Sequence, residues 1–149
     1  MSGSSALMPS RPEQSFLCFD YGLKRVGVAS GNTVLGHAQP LCTIALEGPA
    51  RFERIAELVT QWRPDALVVG VPLHPDGAEH ENTLRARRFA RQLAGRHSLP
   101  VHEVDERYTT VEAQAQSSGR RAEGTSTGAG SIDARAAAVI LQQFLDAQT

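Results

Sequence analysis

Cysteine is scarce in this chain. The two that occur, Cys18 and Cys42, lie inside apolar runs at no spacing suited to a metal. That pattern argues against a disulfide framework and a thiolate zinc site, and for two reduced, buried thiols in a cytoplasmic protein. Long apolar runs are missing too, none approaching the ~20 residues of a membrane span. The opening stretch, MSGSSALMPSRPEQ, lacks the apolar centre of a secretory signal. It reads as a loose polar extension over residues 1–14. Nor is there a surplus of one charge, since 15 Lys and Arg face 16 Asp and Glu for a formal net of −1. Any contact with nucleic acid must then rest on a local basic patch. The five histidines form no ligand pattern, and His97 and His102 are expected at the surface. Ser30 and Cys18 have no evident base beside them, which argues against covalent nucleophilic catalysis.

What remains is one domain of ordinary composition, expected over residues 15–149 and long enough to bury a core. FLCF reads as a strand buried on both faces and ends at Asp20. Gly22 allows a tight turn, and a second strand runs over 25–31 to a turn signal at Gly31-Asn32. A third strand is expected over 34–44, irregular at Gly36 and Pro40. The period then changes. Phe52, Ile55, Ala56, Val59 and Trp62 recur at helical spacing over 50–62, and Arg63-Pro64-Asp65 ends that helix. ALVVGVPL suits a buried parallel strand, residues 83–96 a second helix, and LPVHEVDE a further strand. TTVEAQAQSSG suits a short helix beginning at Thr109. Residues 117–130, rich in Gly, Ser and Thr, read as a mobile loop. Ser131 then caps a final helix over IDARAAAVILQQFLDA. Three strands in a row make an antiparallel meander. The strand-helix-strand units that follow add parallel strands, so the sheet is mixed.

Three acidic points stand out by placement. Asp20 ends the first strand, Asp105 and Glu106 end the last, and Asp133 lies in the first turn of the final helix. Asp133 precedes Ala137 by four and Ile140 by seven, which puts it on the apolar face of its helix. Each has a plainer explanation alone: a turn residue, a local ion pair with Arg107, an acid favoured by a helix N-terminus. If the first and last strands are neighbours, the acids converge, and like charges so close require protons or a metal. Oxygen ligands without His or Cys select Mg²⁺ or Mn²⁺. Two such ions roughly 4 Å apart clamp an in-line phosphoryl displacement, which points to phosphodiester hydrolysis.

Basic residues suit a phosphate partner. Lys24 and Arg25 flank Asp20; Arg85, Arg87, Arg88 and Arg91 crowd one side of the second helix; Arg120 and Arg121 sit in the loop. Such groups hold a nucleic-acid backbone without reading bases. A solvated helix face is the plainer account of the helix arginines. His74, in PLHPDG, is a candidate proton shuttle.

FDYGLKRVGVA, VVGVPLHPDG, VDERYTTVEA and SIDARAAAVIL occur in the order seen in the YqgF/RuvX-like family, and the likeness spans about residues 15–147. The chain resembles that family of bacterial proteins described as Holliday junction resolvases or pre-16S rRNA nucleases. The resemblance implies an α/β, RNase H-like fold: a mixed five-stranded sheet, with a three-strand antiparallel meander and two parallel strands, flanked by helices. It implies a cytoplasmic nuclease using Mg²⁺ or Mn²⁺ that matures the 5′ end of 16S rRNA, with ribosomal precursor particles as partners, or one that cuts branched DNA. Its acidic positions fall on Asp20, Glu106 and Asp133, as catalytic and metal-holding residues. Strand alternation leaves Asp105 open as a further ligand. Lys24, Arg25, Arg87, Arg88, Arg91, Arg107, Arg120 and Arg121 are the expected nucleic-acid contacts. The family's common Asn after Pro72 is replaced here by His74. Monomer and homodimer both stay open. The Asp-Tyr-Gly turn also resembles the phosphate hairpin of actin-like ATPases, but those carry two such domains and this chain is too short. A catalytically silent ribosome-assembly factor is the remaining alternative, against which the intact acids argue.

Overall fold

The computed structural model describes residues 13–74, 76–106 and 128–148. Its elements in chain order are β1 (Ser15–Asp20), β2 (Val26–Asn32), β3 (Ala38–Ile44), α1 (Pro49–Trp62), β4 (Ala66–Val71), α2 (Glu81–His97), β5 (Val101–Asp105) and α3 (Ile132–Ala147). The strands form one five-stranded sheet in the order β3-β2-β1-β4-β5. β1 pairs antiparallel with β2 and parallel with β4, and β5 is parallel to β4. The meander plus two parallel strands is as expected, with β1 at the centre, but the first and last strands are not neighbours, since β4 lies between them.

Side-chain alternation sorts the sheet into two faces. Leu17, Phe19, Val26, Val28, Leu67 and Val69 enter a core with Ile55 and Leu58 of α1 and Phe89, Ala90 and Leu93 of α2. Phe16, Cys18, Ala29, Ala66 and Val68 enter a second core with Ala137, Ile140, Leu141 and Leu145 of α3. β4 is buried along its whole length, as a strand covered on both faces must be.

Several boundaries differ from expectation. β3 starts at Ala38, not 34: Val34 and Leu35 sit in a turn, each 64% exposed, in which Asn32 Oδ1 accepts from Leu35 N–H at 2.8 Å. Gly36, at φ 71°, reverses the chain there. Pro40 is accommodated because β3 is an edge strand and the β2–β3 register shifts between Val28 and Ala29. In α1 the buried stripe is Arg51, Ile55 and Leu58, whereas Ala56 and Trp62 are exposed. His97, expected at the surface, is half-buried, with Nε2 enclosed and unpartnered among the described residues. His102 is exposed as expected, its ring 5.0 Å from that of Phe144. Gln14, expected in the loose extension, is tied to Thr33: Thr33 N–H donates to Gln14 O at 2.9 Å, and Gln14 N–H to Thr33 Oγ1 at 3.1 Å. Residues 1–12, the helix expected from Thr109, and the expected loop as far as residue 127 lie outside the described residues.

Candidate nucleic-acid cleavage site

Asp20 is the last residue of the central strand, two places after Cys18, and so falls on the α3 face. Its neighbours across the sheet are glycines on both sides, Gly27 in β2 and Gly70 in β4. Each glycine makes room for one other acid. A Cβ on Gly27 would lie 1.8 Å from the carbonyl oxygen of Asp133, so its absence lets the first turn of α3 rest on the strand. A Cβ on Gly70 would lie 3.0 Å from Glu106 Oε2 and 2.5 Å from Ile140 Cδ1. Lone glycines inside strands mark such close approaches.

Glu106 follows β5, and its N–H donates to Val71 O at 3.2 Å. Alternation from Val104, which packs on the α3-side core, carries Glu106 to that face, where it is 4% exposed. Asp105 is exposed and points the other way by the same alternation. Glu106 is thus the acid that lies against Asp20. Asp133 is placed by its helix cap. Ser131, fully buried, accepts from Ala134 N–H at 3.1 Å and shares a 2.5 Å hydrogen bond with Thr43 Oγ1 of β3. That link fixes the N-terminus of α3 to the sheet.

The electrostatics follow from burial. Desolvation pushes the Glu106 carboxyl far above the ordinary range, and the neighbouring Asp20 charge and a hydrogen bond to Asp20 push the same way. Asp20 rises to about 7, mainly by burial and further by Asp133, while the hydrogen bond from Glu106 pulls it down. Two carboxyls so placed hold a proton between them more tightly than either would alone. Its Oε2 is buried without a partner among the described residues. Asp133, with its side chain 25% exposed, accepts from Arg25 Nε at 3.0 Å. Burial raises the Cys18 thiol well above its usual value, and the Asp20 and Glu106 charges add to it, so a nucleophilic role is excluded.

The expected basic residues divide. Lys24 and Arg25 stand in the turn between β1 and β2, directly after Asp20, and Arg25 reaches Asp133. Arg87, Arg88 and Arg91 belong to α2, which packs on the opposite face of the sheet. Arg87 is held by Glu79 and, at 3.5 Å, by Glu103, and Arg85 by Glu81 at 3.1 Å. Arg88 and Arg91 are exposed. Arg107, Arg120 and Arg121 lie outside the described residues. His74 follows β4, and its ring packs edge-on against His80 at 4.7 Å between centroids.

A divalent cation fits this donor set by chemistry: hard carboxylate oxygens, one of them orphaned, with repulsion that a cation would relieve. As the side chains stand, no group of three His, Cys, Asp or Glu among the described residues converges closely enough to hold one. Asp20 and Glu106 bond each other, and Asp133 is turned to Arg25. Sequence reasoning found the acids but missed Gly27, Gly70, the Thr43–Ser131 link and the buried Arg51. The two strand glycines were visible as interruptions of apolar runs.

Residues 14–147 match the family described as RuvX: Holliday junction resolvase. A protein of Albidiferax ferrireducens named "Putative pre-16S rRNA nuclease" is 61% identical over 132 residues, 89% of this chain and 78% of that one. A Burkholderia thailandensis protein of the same name is 55% identical over 135 residues, 90% of this chain and 89% of that one. Among solved structures, Thermus thermophilus RuvC in complex with a Holliday junction substrate superposes with a TM-score of 0.55 at 15% identity, covering 91% of this chain and 95% of that one. That likeness shows a shared RNase H-like fold. By the extent of the family match and the identity to its relatives, this chain belongs to the RuvX family of nucleases.

Proposed function

We propose that this chain is a divalent-metal-dependent endonuclease that hydrolyses phosphodiester bonds of structured nucleic acid, with the 5′ end of pre-16S rRNA as substrate. One observation carries the reading. A buried Glu106 with an unpartnered carboxylate oxygen stands against half-buried Asp20 at the end of the central strand, and Asp133 is brought alongside by a helix resting on Gly27. Burying carboxyls this way is costly for a merely structural purpose.

Asp20, Glu106 and Asp133 would hold Mg²⁺ or Mn²⁺. When bound, such ions activate water and steady the leaving oxygen. The chain's own residues do the rest. Asp20 and Glu106 hold a proton between them in the metal-free protein, a charge that a bound cation would supply instead. Arg25 neutralises Asp133. Lys24 lies in the same turn. α3, fixed by Ser131, holds the third carboxylate in register with the sheet. Substrates with a duplex backbone would be gripped through phosphates, since no base-reading module is present among the described elements. An rRNA substrate would place the protein in the cytoplasm, in contact with ribosomal precursor particles. No helix among the described residues is long and apolar enough to cross a membrane.

Branched DNA is the second reading, favoured by the printed description of the matching family and by the junction-bound RuvC of the same fold. A cleavage assay on a 16S precursor fragment and a four-way junction, run side by side, separates the two. With Mn²⁺, the precursor should be cut and the junction left whole. Chelator and Asp20→Asn should each abolish cutting. Cutting of the junction alone would replace the rRNA reading, and cutting that survives Asp20→Asn would sink the site.

A further inference from the structure

The turn between β1 and β2 is held from three sides. A Cβ on Gly22 would meet Arg25 O at 2.4 Å, so the chain folds back over that glycine. The Arg25 side chain is drawn to Asp133. From beneath, Arg51 of α1 grips the turn: its Nη2 donates to Leu23 O at 2.9 Å and its Nε to Leu46 O at 2.8 Å. The guanidinium carbon lies 5.7 Å from the centre of the Tyr21 ring.

Arg51 is only 5% exposed, yet its recorded partners among the described residues are backbone carbonyls and an aromatic face, with no carboxylate. A desolvated guanidinium met only by dipoles is expensive. Closing a turn does not require it, so its charge and its fork need a further use.

Peptide geometry supplies one. In a trans peptide the C=O of one residue and the N–H of the next point in opposite directions. Arg51 draws Leu23 C=O inward, so Lys24 N–H is turned outward. That N–H has no hydrogen-bond partner among the described residues, and Lys24 is exposed. The backbone donor and the ε-ammonium thus belong to one exposed residue, in the turn that follows Asp20 and carries Arg25 to Asp133. A buried positive charge below adds to the local potential, weakly screened because it is away from water.

We infer that Arg51 is a positioning residue that sets the Leu23–Lys24 peptide, making Lys24 N–H and the Lys24 ammonium one subsite for a phosphate of the substrate backbone next to the cleaved bond. The inference rests on the nuclease reading. Arg51 itself touches no substrate. A point-charge ammonium with a backbone N–H reads phosphate and not base, so the subsite is indifferent to sequence.

Binding of an RNA hairpin, measured in chelator by fluorescence anisotropy across a salt series, tests it without turnover. Lys24→Ala should weaken binding at low salt by roughly tenfold and reduce the log–log salt slope by about 0.7–0.9, one phosphate contact. Arg51→Met should do the same although it lies beneath the surface, and Arg51→Lys should recover only part of the loss. The double variant Lys24→Ala/Arg51→Met should bind no more weakly than either single one. Additive losses, or an Arg51→Met variant with the parental salt slope, would overturn the inference. If Arg51→Met fails to fold, the unaltered protein decides: the Lys24 amide NMR signal should move on addition of the hairpin, and a stationary signal overturns the subsite. A parent protein that binds no hairpin at any salt overturns the nuclease reading itself, which is a distinct result.

Discussion

The two faces of the sheet are built to different ends. Under α1 and α2 the contacts are large rings. Phe89 packs against Phe19, Tyr21 and Phe52 at 6.2, 5.1 and 6.0 Å between centroids. Around the acids α3 contributes small or slender side chains, Ala134, Ala137, Ile140 and Leu141, its one ring, Phe144, packing on Phe16 at 5.0 Å near the far end of the helix, and the sheet answers with Gly27 and Gly70. Rings fill volume and stabilise. Small residues bring backbones together, and here they bring Asp133 and Glu106 to Asp20. One face therefore carries stability and the other accepts a repulsive, proton-sharing cluster that the first must offset.

Substitutions on each side should separate these roles. Asp20→Asn should lower cleavage by on the order of 10³-fold, within the range for loss of a positioned acid–base group, while the metal-free protein melts at the same temperature or higher. Marked unfolding of that variant would make Asp20 structural. Phe89→Ala should do the reverse, costing about 3–5 kcal/mol in urea unfolding while the protein that remains folded cuts at the parental rate.

Gly27→Ala sits between these extremes. The added methyl collides with the Asp133 backbone, so α3 must shift. The expected cost is about 1–3 kcal/mol of stability, with cleavage falling more than tenfold because the acid is displaced. A fall in cleavage no larger than the folded fraction accounts for would dissolve the distinction between the faces.

The acid cluster also sets a pH dependence. The Asp20 and Glu106 carboxyls titrate higher in the folded protein than in the unfolded chain. The folded state then holds more protons above pH ~4, so the metal-free protein loses stability as pH rises from there through about 7, where Asp20 ionises. Saturating Mg²⁺ or Mn²⁺ should oppose this, adding about 2.7 kcal/mol at a hundredfold excess over Kd. Melting curves from pH 4 to 8, with and without the ion, check both signs. Curves that coincide at pH 7 would count against the metal.

The smallest effect is expected on the ring-packed side. Arg88→Ala/Arg91→Ala should leave melting unchanged and alter the salt slope of RNA binding by less than Lys24→Ala alone, since both arginines lie on the layer opposite the acids. A larger change would extend the nucleic-acid surface across α2.

Most of the architecture was legible because it rests on local period. Helical spacing in α1 and continuous apolar runs in β1 and β4 speak for themselves. Val34 and Leu35 misled because an apolar pair in a turn looks like a strand start, and only the φ of Gly36 tells otherwise. The acids were legible as charges at the ends of apolar runs, a conflict that a sequence displays openly. Gly27, Gly70 and Arg51 were not, because their meaning is relational. A glycine's missing Cβ matters only once the residue across the sheet is known, and Arg51 reads as a helix-surface charge until Leu23 O and Leu46 O are seen beneath it. The partners of Arg87, Glu79 and Glu103, were not legible for the same reason, since both come from outside its helix.

Cys18 lies on β1 two residues before Asp20 and is fully enclosed, its thiol held in the protonated form by burial and by the carboxylates beside it. Oxidants and alkylating reagents act on thiolate, so this sulfur is chemically silent while the α3 layer stays closed. Its labelling rate thus becomes a built-in clock for the opening of that layer, readable without any engineered probe.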